Sequence, residues 1–185
     1  MAETESTTVN VLVLVGSLRA ASVNRQLAEV AIANAPAGVQ LNLFDRLGEL
    51  PFYNEDIDVD PVPEPVRAFR DAAAAADATL IITPEYNGTI PGVLKNAIDW
   101  VSRPYGQGAL KDKPAAVIGS ALGQYGGVWA HDETRKSIGI AGMTVVESVA
   151  LSIPAKDFDG KHPQESADVV AQLQDVVEKL VAEIG

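Results

Sequence analysis

"VNVLVLVGSLRAASVNRQLAEVAIANA", residues 9–35, passes from an apolar run through a short loop into a helical pattern. Its first seven residues form a nearly unbroken apolar run, the pattern of a strand covered on both faces. The run stops at Gly16, and a short loop of mostly small and polar residues follows. From Asn24 to Ala35, Leu27, Val30, Ala31 and Ile32 fall on one helical face. A buried strand that passes through a short loop into a helix is the opening unit of a parallel α/β sheet.

The same alternation continues along the chain. "VQLNLF" (39–44) alternates as an edge strand does, whereas "TLIIT" (79–83) and "AAVIGS" (115–120) are continuous apolar runs that suit central strands; "TVVESVAL" (144–151) supplies a fifth. Helices are expected over Val62–Ala76, Val93–Val101, Gly127–Ala141 and Glu165–Ile184. The last is the clearest, with Val169, Val170, Leu173, Val176, Val177, Leu180 and Val181 on one stripe. Five strands alternating with five helices predict a doubly wound, flavodoxin-like α/β sandwich. Its five-stranded parallel sheet, in the order 2-1-3-4-5, carries helices on both faces. One domain is expected over residues 1–185, with residues 1–8 as a flexible N-terminus. In such a sheet the ligand crevice lies beyond the carboxyl ends of strands 1 and 3, so function belongs to the loops after strands 1, 3 and 4.

Composition narrows the chemistry. The chain of 185 residues is 47% hydrophobic and 21% charged, an ordinary balance for a globular protein. It has no Cys, which excludes disulfides, thiolate metal sites and a cysteine nucleophile. No apolar run approaches the roughly 20 residues that cross a bilayer. The opening "MAETESTTVN" is acidic and polar, unlike a secretory signal, so a cytoplasmic location is expected. The net charge of −11 argues against nucleic acid as a partner. That charge is localised: residues 45–77 hold nine acids and three bases, and residues 157–185 hold seven and two. The rest of the chain is neutral, with nine of each, so an anionic small molecule can still be met by Arg or Lys there.

The loop after strand 1 is built for an anion. A helix N-terminus presents partial positive charge and unpaired N–H groups. Ser17 and Ser22 add hydroxyls, Asn24 an amide, and Arg19 a fork suited to a phosphate dianion. The plain alternative is that Ser22 or Asn24 caps the helix while Arg19 sits in solvent. Gly16 stands alone, so neither a Walker A loop nor a G-x-G-x-x-G turn is present.

The loop after strand 3, in "TLIITPEYNGTIPGVLKNAIDW" (79–100), is stiffened by Pro84 and Pro91 and carries Tyr86 as an aromatic wall. Asn87 offers an amide for a flat heterocycle and Gly88 permits close backbone approach, although Asn-Gly also marks an ordinary tight turn. Together, "GSLRAASVN" and "PEYNGTIPGVLKNAIDW" resemble the NADPH-dependent FMN reductase family of quinone, chromate and azo-dye reductases. The resemblance runs from strand 1 through the helix after strand 4. It implies bound FMN, NADPH or NADH as hydride donor, and two-electron, ping-pong reduction of quinones, free flavin or similar small-molecule acceptors. By motif it places Ser17, Arg19, Ser22, Val23 and Asn24 at the phosphate, and Pro84, Glu85, Tyr86, Asn87 and Gly88 beside the isoalloxazine ring. It further implies Ser120 and Gly123, in "IGSALGQYGGVW" (118–129), as flavin contacts. It also implies a homodimer or homotetramer, with Val93–Val101 as a candidate interface.

One departure stands out. Many members carry an Arg soon after the paired glycines of that third loop, where this chain has Trp129. No catalytic dyad is expected, since the flavin carries the chemistry. "DIDVD" (56–60) imitates a calcium loop, but Pro61 and Arg67 occupy the positions that need Gly and Glu, so no metal is expected. His131 and His162 are expected at the surface, and Trp100 and Trp129 in packing or oligomer contacts. The rival reading is a flavodoxin-type electron carrier without NAD(P)H turnover, against which Arg19 in the phosphate loop counts.

Overall fold

A computed structural model describes residues 8–185. The flexible segment expected at residues 1–8 therefore lies, apart from residue 8, outside the described residues. The elements run β1 (Val9–Val15), α1 (Val23–Ala33), β2 (Val39–Leu43), α2 (Glu64–Ala75), β3 (Ala78–Ile82), α3 (Gly92–Val101), β4 (Pro114–Ala121), α4 (Val128–Ile140), β5 (Thr144–Val145), β6 (Ser152–Pro154) and α5 (Ala167–Ala182). The sheet order is β2-β1-β3-β4-β5, every pairing parallel, which is the expected flavodoxin-like winding.

Each central strand divides its side chains between two cores. Val11, Val13, Leu80, Ile82, Ala116 and Ile118 face α1 and α5. Leu12, Leu14, Ile81, Ala115 and Val117 face the layer of α2 and α3. Burial on both faces is why these strands read as continuous apolar runs rather than as alternating ones. The helices begin where local chemistry permits. Ser166 accepts from the Val169 N–H at the start of α5, and Pro65 lies in the first turn of α2.

The fifth strand differs from expectation. Residues 144–151 do not form one strand: β5 is two residues long beside Pro114 and Ala115, and the separate β6 rejoins β4 farther along, at Gly119–Ala121. Among the described residues the sheet thus has six strands, not five. Arg135 explains the gap. Its Nη2 donates to Val117 O at 2.9 Å and to Val149 O at 3.2 Å, so a guanidinium stands where a continuous strand would have supplied N–H donors. Between the two strands the chain makes a turn closed by Val149 N–H to Val146 O, with both valines in the core.

No described helix is long and apolar enough to cross a membrane. α3 buries Leu94, Ala97, Ile98, Trp100 and Val101 within the chain and leaves Gly92 and Lys95 exposed, so little apolar surface of this helix is left for a partner. Trp100 is a core residue, its indole N–H bonded to Pro51 O at 2.7 Å. Asp58, from the calcium-like run, pairs with Arg70 at 2.7 Å.

Candidate active site

The carboxyl ends of β1, β3 and β4 open onto a cavity of about 360 Å3. Ser17, Arg19, Ser22, Val23 and Asn24 line it from the first loop, Pro84, Glu85 and Tyr86 from the second, and Ser120 and Gly123 from the third. Ten of the twelve residues singled out from the sequence are thereby brought together around one space of small-molecule size.

At the phosphate-type end, Ser22 is the N-cap residue of α1, yet its side chain makes no capping bond. Arg19 is exposed and, among the described residues, forms no ion pair. The Ser17 hydroxyl lies 3.4 Å from the Tyr86 hydroxyl, linking the first loop to the second. Gly16 is required where the loop leaves the sheet: a Cβ there would stand 2.2 Å from Thr83 Oγ1.

Asn24 has a different office from the phosphate donor that the sequence suggested. It is buried, its Nδ2 donates to Ser120 O at 2.9 Å, and its Oδ1 accepts from Ser120 N–H at 2.8 Å. Both ends of the amide thus lock the start of α1 to the end of β4. Glu85 likewise points one oxygen at the Ala130 N–H, 3.2 Å away, in the first turn of α4, a favourable place for a carboxylate.

Asn87 and Gly88 lie outside the cavity lining. With φ of 54° and 75° they form the two-residue tip of a small hairpin closed by Tyr86 and Thr89, the backbone that Asn-Gly favours. Gly88 faces Trp129, which is exposed and tilts against Tyr125 with ring centroids 5.8 Å apart.

Sequence reasoning missed Ala21, Ala121, Leu122 and Ala155, which complete the lining. Only their small size, next to motif positions, could have signalled the alanines. It also misplaced His131, which is fully buried, not superficial. Desolvation pushes its imidazole below the usual histidine range. His162, by contrast, is exposed and caps a short turn.

Whether the cavity suits a flavin phosphate can be judged from its polar atoms. Among the described residues, Ser120 Oγ is buried without a hydrogen-bond partner. Buried hydroxyls rarely stay unsatisfied, and the residue that carries this one lines the cavity between the first and third loops. An unengaged Arg, an unengaged capping serine and the amino end of α1 complete a donor set suited to a phosphate dianion.

Residues 9–157 match the sequence profile of the NADPH-dependent FMN reductase family. The chain belongs to that family. It is 46% identical over 129 residues to a quinone reductase of Pseudomonas putida, a match covering 70% of this chain and 69% of that protein. A 2-hydroxy-1,4-benzoquinone reductase of a Burkholderia species is 46% identical over 127 residues, covering 69% and 68%. Among solved structures, the FerB flavoenzyme NAD(P)H:(acceptor) oxidoreductase of Paracoccus denitrificans is similar with a TM-score of 0.84 and 36% identity, covering 95% of this chain and 97% of that one. The family match spans all three cavity loops.

Proposed function

We propose that the protein is an FMN-dependent NAD(P)H oxidoreductase that holds its flavin in this cavity and reduces quinones and similar flat acceptors. Family membership and two quinone-reductase relatives support the activity. The observation that carries the site is the pair of cavity-lining groups on the loop after β1 that, among the described residues, have neither an ion pair nor a capping bond, the Arg19 guanidinium and the Ser22 hydroxyl.

When bound, FMN relays a hydride from NAD(P)H to the acceptor. The chain's own residues bind and orient. Arg19, Ser17, Ser22 and the N–H groups at the start of α1 grip the phosphate. Asn24 holds that helix end against Ser120, fixing the distance between the phosphate grip and the third loop. Pro84 and Tyr86 form one wall, Ser120 and Gly123 the other. Asn87 and Gly88 serve by shaping the hairpin that presents Tyr86. Assembly as a homodimer or homotetramer and a cytoplasmic location belong to the same proposal; light scattering measures the first.

Two measurements test the function. The protein as purified should be yellow, or become so when FMN is added, and should oxidise NAD(P)H continuously with excess quinone. Failure to take up FMN would overturn the site; flavin uptake without turnover would make the protein a carrier.

A further inference from the structure

One buried side chain outside the cavity lining is hydrogen-bonded to two of the segments around it and lies close against a third. His131 lies in the first turn of α4. Its Nε2 is 2.9 Å from Thr83 O and its Nδ1 is 2.6 Å from Ser152 Oγ. A carbonyl oxygen only accepts, so Nε2 carries the proton, and Nδ1 accepts from the Ser152 hydroxyl. Thr83 immediately precedes the Pro84-Glu85-Tyr86 wall. Ser152 opens β6, which leads to Ala155 at the cavity edge and pairs with Gly119 on β4. Gly119 itself is pressed into the same knot: a Cβ there would stand 2.0 Å from Thr83 O and 2.8 Å from His131 Nε2. No side chain but hydrogen fits at Gly119 beside this imidazole.

We propose that His131 is the positioning residue for the ring side of the cavity. It fixes the spacing between the loop after β3, the end of β4 and the turn after β6, and so sets the fit of the flavin ring without touching it. This rests on the cavity being the flavin site. The phosphate grip is separate: Ser17, Arg19 and Ser22 sit on the loop after β1, and none of them bonds to His131. Loss of His131 should therefore damage recognition of the ring and leave recognition of the phosphate alone.

Riboflavin, which has the ring and no phosphate, separates the two. The full chain freed of flavin is titrated with FMN and with riboflavin, as wild type, His131→Leu, His131→Gln and Ser152→Ala. His131→Leu should weaken both flavins by the same factor, about tenfold or more, because a buried carbonyl and hydroxyl lose their partner. His131→Gln offers one amide donor and one carbonyl acceptor and should recover most of that loss. Ser152→Ala, losing one bond, should weaken both by about threefold. Unchanged binding of both flavins in Ser152→Ala and in a folded His131→Leu would overturn the proposal, as would a loss confined to FMN. Should His131→Leu fail to fold, equal weakening of both flavins in Ser152→Ala supports the role, and unchanged binding there refutes it. If wild type binds neither flavin, the cavity assignment itself falls; if wild type binds both, only the role of His131 is at stake.

Discussion

The two ends of the cavity are both rich in polar side chains, and they use them in opposite ways. On the loop after β1, Arg19 and Ser22 carry polar groups that the fold leaves without an ion pair or a capping bond. Around β4, β6 and α4, Asn24, His131, Arg135 and Glu85 all point at backbone groups 2.8–3.2 Å away. On the function proposed above, the first region is a receptor for a ligand's charge. The second is a scaffold in which polar side chains replace missing strand and helix hydrogen bonds. Residue type does not separate these roles; the partner does.

The largest expected effect comes from crowding the scaffold. Gly119→Ala would drive a methyl group into Thr83 O, Asn24 Oδ1 and His131 Nε2 at once, all of them already held. Overpacking of that kind should cost about 3 kcal/mol, read as a lowered denaturant midpoint. Gly123→Ala, in the open part of the same loop with nothing within 4 Å of its would-be Cβ, should change stability by less than about 0.5 kcal/mol. Equal effects at the two glycines would erase the distinction between scaffold and receptor.

Arg19→Ala should do the reverse. Stability should be unchanged within about 0.5 kcal/mol, because the guanidinium bridges nothing in the described chain. FMN affinity should fall about ten- to hundredfold, the worth of one charge-assisted contact. Riboflavin affinity should not move, since it lacks the phosphate. Equilibrium titration of both flavins checks this, and a matching loss for riboflavin would place Arg19 against the ring.

The scaffold should also answer to pH. Burial lowers the His131 pKa below its ordinary 6.5, opposed by the Thr83 carbonyl and the carboxylates of Glu85 and Asp132 and reinforced by Arg135. The folded protein therefore keeps this imidazole neutral while the unfolded chain protonates it. Stability is fully present above about pH 6.5 and falls as the pH drops below that value, by at most about 1.4 kcal/mol per pH unit for one proton, until the folded-state pKa is reached. Denaturation at stepped pH values measures the slope, and His131→Gln should remove this contribution. A variant with the wild-type slope would assign the acid sensitivity to other groups.

These contrasts also mark what the sequence made legible. β1, β3 and β4 were readable because strands buried on both faces must be apolar throughout, and α5 because its core stripe is uninterrupted. The loops after β1 and β3 were readable because they carry long motifs. α4 was weaker for a physical reason: its inward face is Ala130, His131, Thr134 and Ile138, half of it polar, so hydrophobic periodicity fades although the helical spacing is intact. That spacing was the available signal that His131 faces inward. The break between β5 and β6 was hidden more deeply. It depends on Arg135 reaching Val117 and Val149, partners 18 and 14 residues away, and a strand-like run such as "TVVESVAL" carries no trace of that. Asn24 lines the cavity, but its bond to Ser120 was not legible, because that partner lies 96 residues on.

Ser120 sits on the border between the two regions and gives the finest test. Its backbone belongs to the scaffold through Asn24, while its hydroxyl is buried with no partner among the described residues. An unsatisfied buried hydroxyl destabilises the flavin-free fold, so Ser120→Ala should raise its stability, by about 1 kcal/mol. The same change should weaken FMN binding, by about fivefold, if the hydroxyl finds its partner on the flavin. Opposite signs in the two measurements are the signature of a group kept for a ligand. A loss in both would mean that the hydroxyl is bonded within the protein, and a gain in stability with unchanged FMN affinity would leave it with no role in the cavity.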